Sequence, residues 1–75
     1  MSSSIPALTY RDIVKRLRKL GFVFYRQGKG SHEIWRHPDG RWTTIPRHGS
    51  KVISRRTMKS ILDDIGIDGD QFQLL

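Results

Sequence analysis

A chain of 75 residues with no cysteine and 36% hydrophobic residues makes one small domain, and neither a disulfide staple nor a Cys-based zinc knuckle is available to it. No apolar run approaches the ~18 residues of a membrane span, and residues 1–7 lack the charged start and apolar stretch of a signal peptide, so a soluble cytoplasmic protein is expected. The net charge of +7 over so small a surface draws phosphates in, and points to a polyanionic partner.

Residues 1–8 are Ser-rich, carry Pro6 and are expected to form a flexible lead-in to a single domain over residues 1–75. Thr9 followed by Asp12 marks a helix start, with Asp standing in for the usual Glu or Gln of a capping box. Tyr10, Ile13, Val14, Leu17 and Leu20 recur at helical spacing, and Arg11, Lys15, Arg16, Arg18 and Lys19 take the opposite side. Gly21 stands where a helix ends in the left-handed conformation, so a helix is predicted over residues 10–20. Residues 22–27, 31–37 and 41–46 read as three strands, joined by Gly28-Lys29-Gly30 and by Pro38-Asp39-Gly40. Residues 47–53 form a polar, basic loop. Ser54 then caps a second helix, whose apolar positions Met58, Ile61, Leu62 and Ile65 follow the i, i+3, i+4, i+7 pattern up to Gly66. A short turn over residues 68–75 is expected to carry Phe72 and Leu74 back to the core. The fold class is therefore α+β in the order α-β-β-β-α, a three-stranded antiparallel sheet with two helices on one face.

The charge is segregated along the chain. Residues 1–59 hold all 14 Lys and Arg against Asp12, Glu33 and Asp39, a balance of +11, while residues 60–75 hold Asp63, Asp64, Asp68 and Asp70 with no base, a balance of −4. The second helix has Arg55, Arg56 and Lys59 early and Asp63 and Asp64 late, the reverse of what the helix dipole favours. Its free N–H groups, the Ser54 hydroxyl and those cations form a candidate phosphate seat. Exposed charges on a short helix also cost little and need no function.

His32 follows the Gly28–Ser31 turn at the start of the second strand, where small residues leave room for a phosphate and a strand can aim the ring. Imidazole exchanges protons near neutral pH, yet a single histidine on a strand is most often a packing or surface residue. His48, in Pro46-Arg47-His48-Gly49, lies in the basic loop, and His37 borders a turn. Lys29 lacks the P-loop frame, the three histidines have no recognised zinc spacing, and no carboxylate pair lies in the basic region. A basic face with one imidazole suits RNA cleavage: the ring takes the 2′-OH proton while Lys and Arg balance charge at phosphorus. DNA lacks that hydroxyl. Tyr25, Trp35 and Trp42 are candidates to stack a base, with no more than one expected to be exposed for it. Alternation puts His32, Ile34 and Arg36 on one face of the strand and Glu33, Trp35 and His37 on the other; both faces mix polar with apolar, so the buried one is undecided.

Between Tyr10 and Phe72 the chain resembles the HicA toxins of bacterial toxin–antitoxin modules. The likeness rests on Lys19-Leu20-Gly21-Phe22, Gly30-Ser31-His32, His37-Pro38-Asp39-Gly40-Arg41, Ile45-Pro46-Arg47-His48-Gly49, Thr57, and Ile61-Leu62 with Gly66. The resemblance implies a double-stranded-RNA-binding-domain-like fold and an mRNA interferase that cuts single-stranded RNA without a metal or other cofactor. It also implies neutralisation by a HicB-type antitoxin protein, and it puts His32 at the position of the family's catalytic histidine. Glu33 departs from the family pattern, in which basic or neutral residues are commoner, and a carboxylate there is expected to oppose phosphate approach slightly.

The expected function is thus a metal-independent endoribonuclease with His32 in acid–base catalysis and His48 as candidate second proton-transfer group. Lys29, Ser31, Arg47, Arg55 and Arg56 are the expected RNA contacts. A non-catalytic RNA-binding module of the same fold is the alternative. A third class is a protein-interaction subunit whose basic face meets an acidic antitoxin.

Overall fold

Thr9 and Asp12 form a capping box: Asp12 N–H donates to Thr9 Oγ1 at 3.2 Å, and Thr9 N–H donates to Asp12 Oδ2 at 3.1 Å. From that cap the computed structural model, which describes residues 4–75, runs α1 (Tyr10–Lys19), β1 (Val23–Gln27), β2 (His32–Arg36), β3 (Trp42–Pro46), α2 (Arg55–Ile65) and α3 (Gly69–Gln73). Gly21, at φ +98°, lets the chain turn back off α1, and the Phe22 amide donates to Leu17 O at 2.9 Å. The strands form one antiparallel sheet in the order β1-β2-β3, as the α-β-β-β-α expectation required.

The pleat of β2 decides the question that alternation left open. Glu33 and Trp35 are buried, while His32 and Arg36 are exposed and Ile34 is half-buried. On β3, Thr43 and Ile45 are buried with them. Both helices cover this side: Tyr10 of α1 bonds Glu33, and Asp64 of α2 accepts from the Thr43 hydroxyl at 2.9 Å. Ile13, Val14 and Leu17 of α1, Met58, Ile61, Leu62 and Ile65 of α2, and Phe22, Trp35 and Ile45 fill the core. At roughly 1.5–3 kcal/mol per buried large side chain, this cluster is the main source of stability.

The C-terminal segment is part of the fold. Asp68 caps α3, Phe72 is fully buried, and Arg16 of α1 donates to the carbonyls of Phe72 and Gln73, each at 3.1 Å. Leu74, expected beside Phe72 in the core, is instead 86% exposed, because it follows the last turn of α3 on its outer side. Residues 1–3 of the expected lead-in lie outside the described residues. Of the rest, Pro6 and Leu8 are buried, and Leu8 O accepts the Ile53 amide at 2.8 Å.

Candidate active site

Two loops meet at one end of the sheet. In the first, Gly28 N–H donates to His32 O at 2.8 Å and His32 N–H to Lys29 O at 3.1 Å. Gln27 Nε2 ties the same turn from the side, donating to Gly30 O at 3.0 Å and His32 O at 3.1 Å. Gly30 adopts φ +58°, and a Cβ there would meet nothing within 4 Å, so the turn is open to a ligand. The second loop leaves β3 at Pro46, whose register partner is His32, and is pinned when Arg47 N–H donates to Ser31 O at 2.9 Å. Ser31, His32 and Arg47 are thus held by backbone hydrogen bonds at the sheet's end, with Lys29 in the turn and His48 next along the loop; all five are exposed.

Arg55 and Arg56 are exposed at the start of α2. Arg55 lines a groove with Lys59, Asp63 and Asp68, a mixed-charge setting. The Ser54 hydroxyl is engaged in its own cap, accepting from Thr57 N–H at 3.3 Å and donating to Thr57 Oγ1 at 3.0 Å. Lys59 pairs with Asp63 at 3.2 Å and Asp64 holds the buried Thr43, so both late acids of α2 have structural partners. His37 is half-buried against Phe22, ring centroids 5.1 Å apart, and its Nδ1 accepts the Asp39 amide at 3.0 Å.

Glu33 is the main feature that sequence reasoning missed. Its carboxylate is turned away from His32 by the pleat and is almost wholly buried, so the expected opposition to phosphate loses its geometric basis. Oε1 accepts from the Tyr10 hydroxyl at 2.6 Å and from the Trp35 indole N–H at 3.1 Å. Arg47 Nη1 stands 3.8 Å from Oε2, and its guanidinium lies 5.9 Å from the centre of the Tyr10 ring. Burial, and after it the hydrogen bond to Glu33, holds the Tyr10 phenol above its ordinary pKa.

Arg47 also ends a basic cleft of about 920 Å³ along α1, lined by Tyr10, Arg11, Lys15, Arg18 and Lys19. Residues 11, 15 and 18 recur at i, i+4 and i+7, a stripe of cations legible in the same way as the apolar stripe opposite. Such a stripe concentrates positive potential where a polyanion would lie. Among the described residues, no three His, Cys, Asp or Glu side chains gather as a metal site. The family model described as the HicA toxin of bacterial toxin–antitoxin systems matches residues 10–67, which contain both loops and every cation of the α1 cleft. No curated protein matches the chain.

Proposed function

The chain belongs to the HicA toxin family, and on that premise we propose that it is a metal-independent endoribonuclease that cuts mRNA at His32 and is held silent by a HicB-type antitoxin. The observation that carries this is the placement of His32: exposed on a rigid strand, beside an open glycine turn, with the Arg47 loop bonded to the residue before it.

In this mechanism the His32 imidazole accepts the proton of a ribose 2′-OH, and the oxygen attacks the adjacent phosphorus. The P–O5′ bond breaks, and the leaving 5′-oxygen takes a proton from an acid, the role assigned to His48. The products are a 2′,3′-cyclic phosphate and a free 5′-OH, with atoms and charge balanced. Lys29 and Arg47 offset the charge that builds on the phosphoryl oxygens. Ser31 and the exposed cations Arg55 and Arg56 are assigned to the RNA backbone. A HicB-type antitoxin that covered this end of the sheet would meet the same cations and exclude RNA.

Purified protein incubated with single-stranded RNA in EDTA, beside His32→Ala, tests the proposal. Cleavage by the parent that falls about 10²–10⁴-fold in the variant is expected. Equal cleavage by both removes His32 from the chemistry. Binding without cleavage by the parent assigns the fold to a non-catalytic RNA-binding module.

A further inference from the structure

The open face of the sheet carries side chains that the cleavage chemistry leaves unused. Val23, Tyr25 and Trp42 are each more than half exposed. Trp35 is buried, so two of the three candidate stacking aromatics reach solvent rather than the single one expected. Alternation along β1 puts Val23 and Tyr25 on the open side and Phe24 on the helix side, edge-on to its partner Trp35 with centroids 6.1 Å apart. A bulge between Phe24 and Arg26 then pairs Arg26 with Ile34, which keeps it on the open side beside Tyr25. There the Arg36 guanidinium lies 4.4 Å from the centre of the Tyr25 ring, and Arg36 is the cross-strand partner of Trp42.

Tyr25, Arg36 and Trp42 therefore form a row across the sheet. With Arg26, Ile34 and Gly40 they line a shallow depression of about 310 Å³ that contains two guanidiniums and no carboxylate. His32 lies on the same side of β2, four residues from Arg36, which is about 13 Å of strand.

We propose that this face seats unpaired nucleobases of the RNA strand whose backbone passes His32, an inference that rests on RNA being the substrate. Every base offers a π-face, so exposed indole, phenol and guanidinium planes stack bases without reading sequence, while Arg26 and Arg36 meet the flanking phosphates. A duplex, whose bases are already stacked on one another, does not fit. An apolar protein surface or a second copy of this face would strand the two guanidiniums away from water without a counter-charge.

The chain has two tryptophans, and only Trp42 is exposed, so its fluorescence reports on the face directly. Titration of His32→Ala, chosen to prevent cutting, with a short unstructured oligoribonucleotide is expected to quench that emission, and a blunt duplex of the same composition is not. In the same background Trp42→Ala and Tyr25→Ala are each expected to weaken single-strand binding about 5- to 150-fold, while Trp42→Phe restores most of it. Thermal melting establishes that each variant is folded.

Affinity unchanged in the folded Ala variants overturns the proposal. It is equally overturned if those variants keep their RNA affinity but lose an antitoxin or self-association, which would give the face to a protein. Quenching by RNA together with failure of the parent to cut would remove the catalytic assignment of His32 and leave the base platform standing. Cutting by the parent together with Ala variants that bind normally would do the reverse.

Discussion

On the helix side of β2, Glu33 and Trp35 are buried, bonded to each other and joined to α1 through Tyr10; on the open side, His32 and Arg36 are exposed and Ile34 is half-covered. Five consecutive residues thus serve two environments, because a strand sends alternate side chains to opposite faces. The difference shows that adjacency in sequence is not adjacency in chemistry. Glu33 follows His32 directly, yet its carboxylate faces a phenol and an indole across the core boundary. A buried carboxylate needs donors, and Tyr10 and Trp35 supply them. The chain can therefore carry an acid directly after its candidate catalytic histidine without presenting it on the open face.

The comparison breaks most visibly at Trp35. Trp35→Ala empties a fully enclosed site and is expected to cost about 3–5 kcal/mol, against a total of roughly 5–15 kcal/mol for a domain. Urea unfolding would show this, whereas Trp42→Ala on the open face should stay within about 0.5 kcal/mol of the parent. Next comes Glu33→Ala, which orphans the buried indole N–H at roughly 1–3 kcal/mol and also frees the Tyr10 hydroxyl. Tyr10→Phe is milder, about 1 kcal/mol, because it removes a single bond.

The Tyr10 contribution also has a pH signature. The phenol is held above its ordinary value by burial and by Glu33, so the folded state favours its protonated form. That stabilisation is complete below the unfolded pKa, near 10, and is lost as pH rises through the raised folded value. Tyr10→Phe should flatten this alkaline loss in melts taken from pH 9 upward. The smallest effect belongs to the cap of α1. Hydrogen bonding to the carboxylate from the Thr9 backbone N–H, and after it from the Thr9 side chain, holds the Asp12 carboxyl below the usual range. Asp12→Asn should cost about 0.5–1 kcal/mol at pH 7. The difference should persist above about pH 4 and fade as pH drops through the depressed value of the native state.

Local signals made the element boundaries legible. The Thr9–Asp12 box, Gly21, the Pro38–Gly40 turn and the Ser54 and Gly66 caps each act within a few residues, and the structure uses all of them. The facing of the strands was not legible, since it depends on what lies across the sheet. Glu33 and Thr43 turn inward because Tyr10 and Asp64, distant in sequence, wait there with matching hydrogen-bond groups. Arg26 escaped for a related reason: a bulge after Phe24 keeps it on the open side with Ile34, where plain alternation would turn it inward, and no local residue pattern marked it. Of the candidate site, the two loops follow from short motifs, whereas the backbone bond from Arg47 to Ser31 that joins them depends on the β2–β3 register and is visible only in the structure. The α1 cations were visible as a stripe, but the structure was needed to bring Arg47 to their end and form one cleft.

A crossed measurement on the two neighbours in β2 tests the division most directly. Single-turnover cleavage of single-stranded RNA in EDTA, paired with thermal melting, is read for His32→Ala and Glu33→Gln. His32→Ala is expected to lose about 10²–10⁴-fold in rate with its melting temperature kept. Glu33→Gln is expected to melt several degrees lower but to cut RNA within about tenfold of the parent while folded. If instead Glu33→Gln abolishes cutting in a fully folded protein, or His32→Ala cuts normally, the two faces do not divide the labour and the account is wrong.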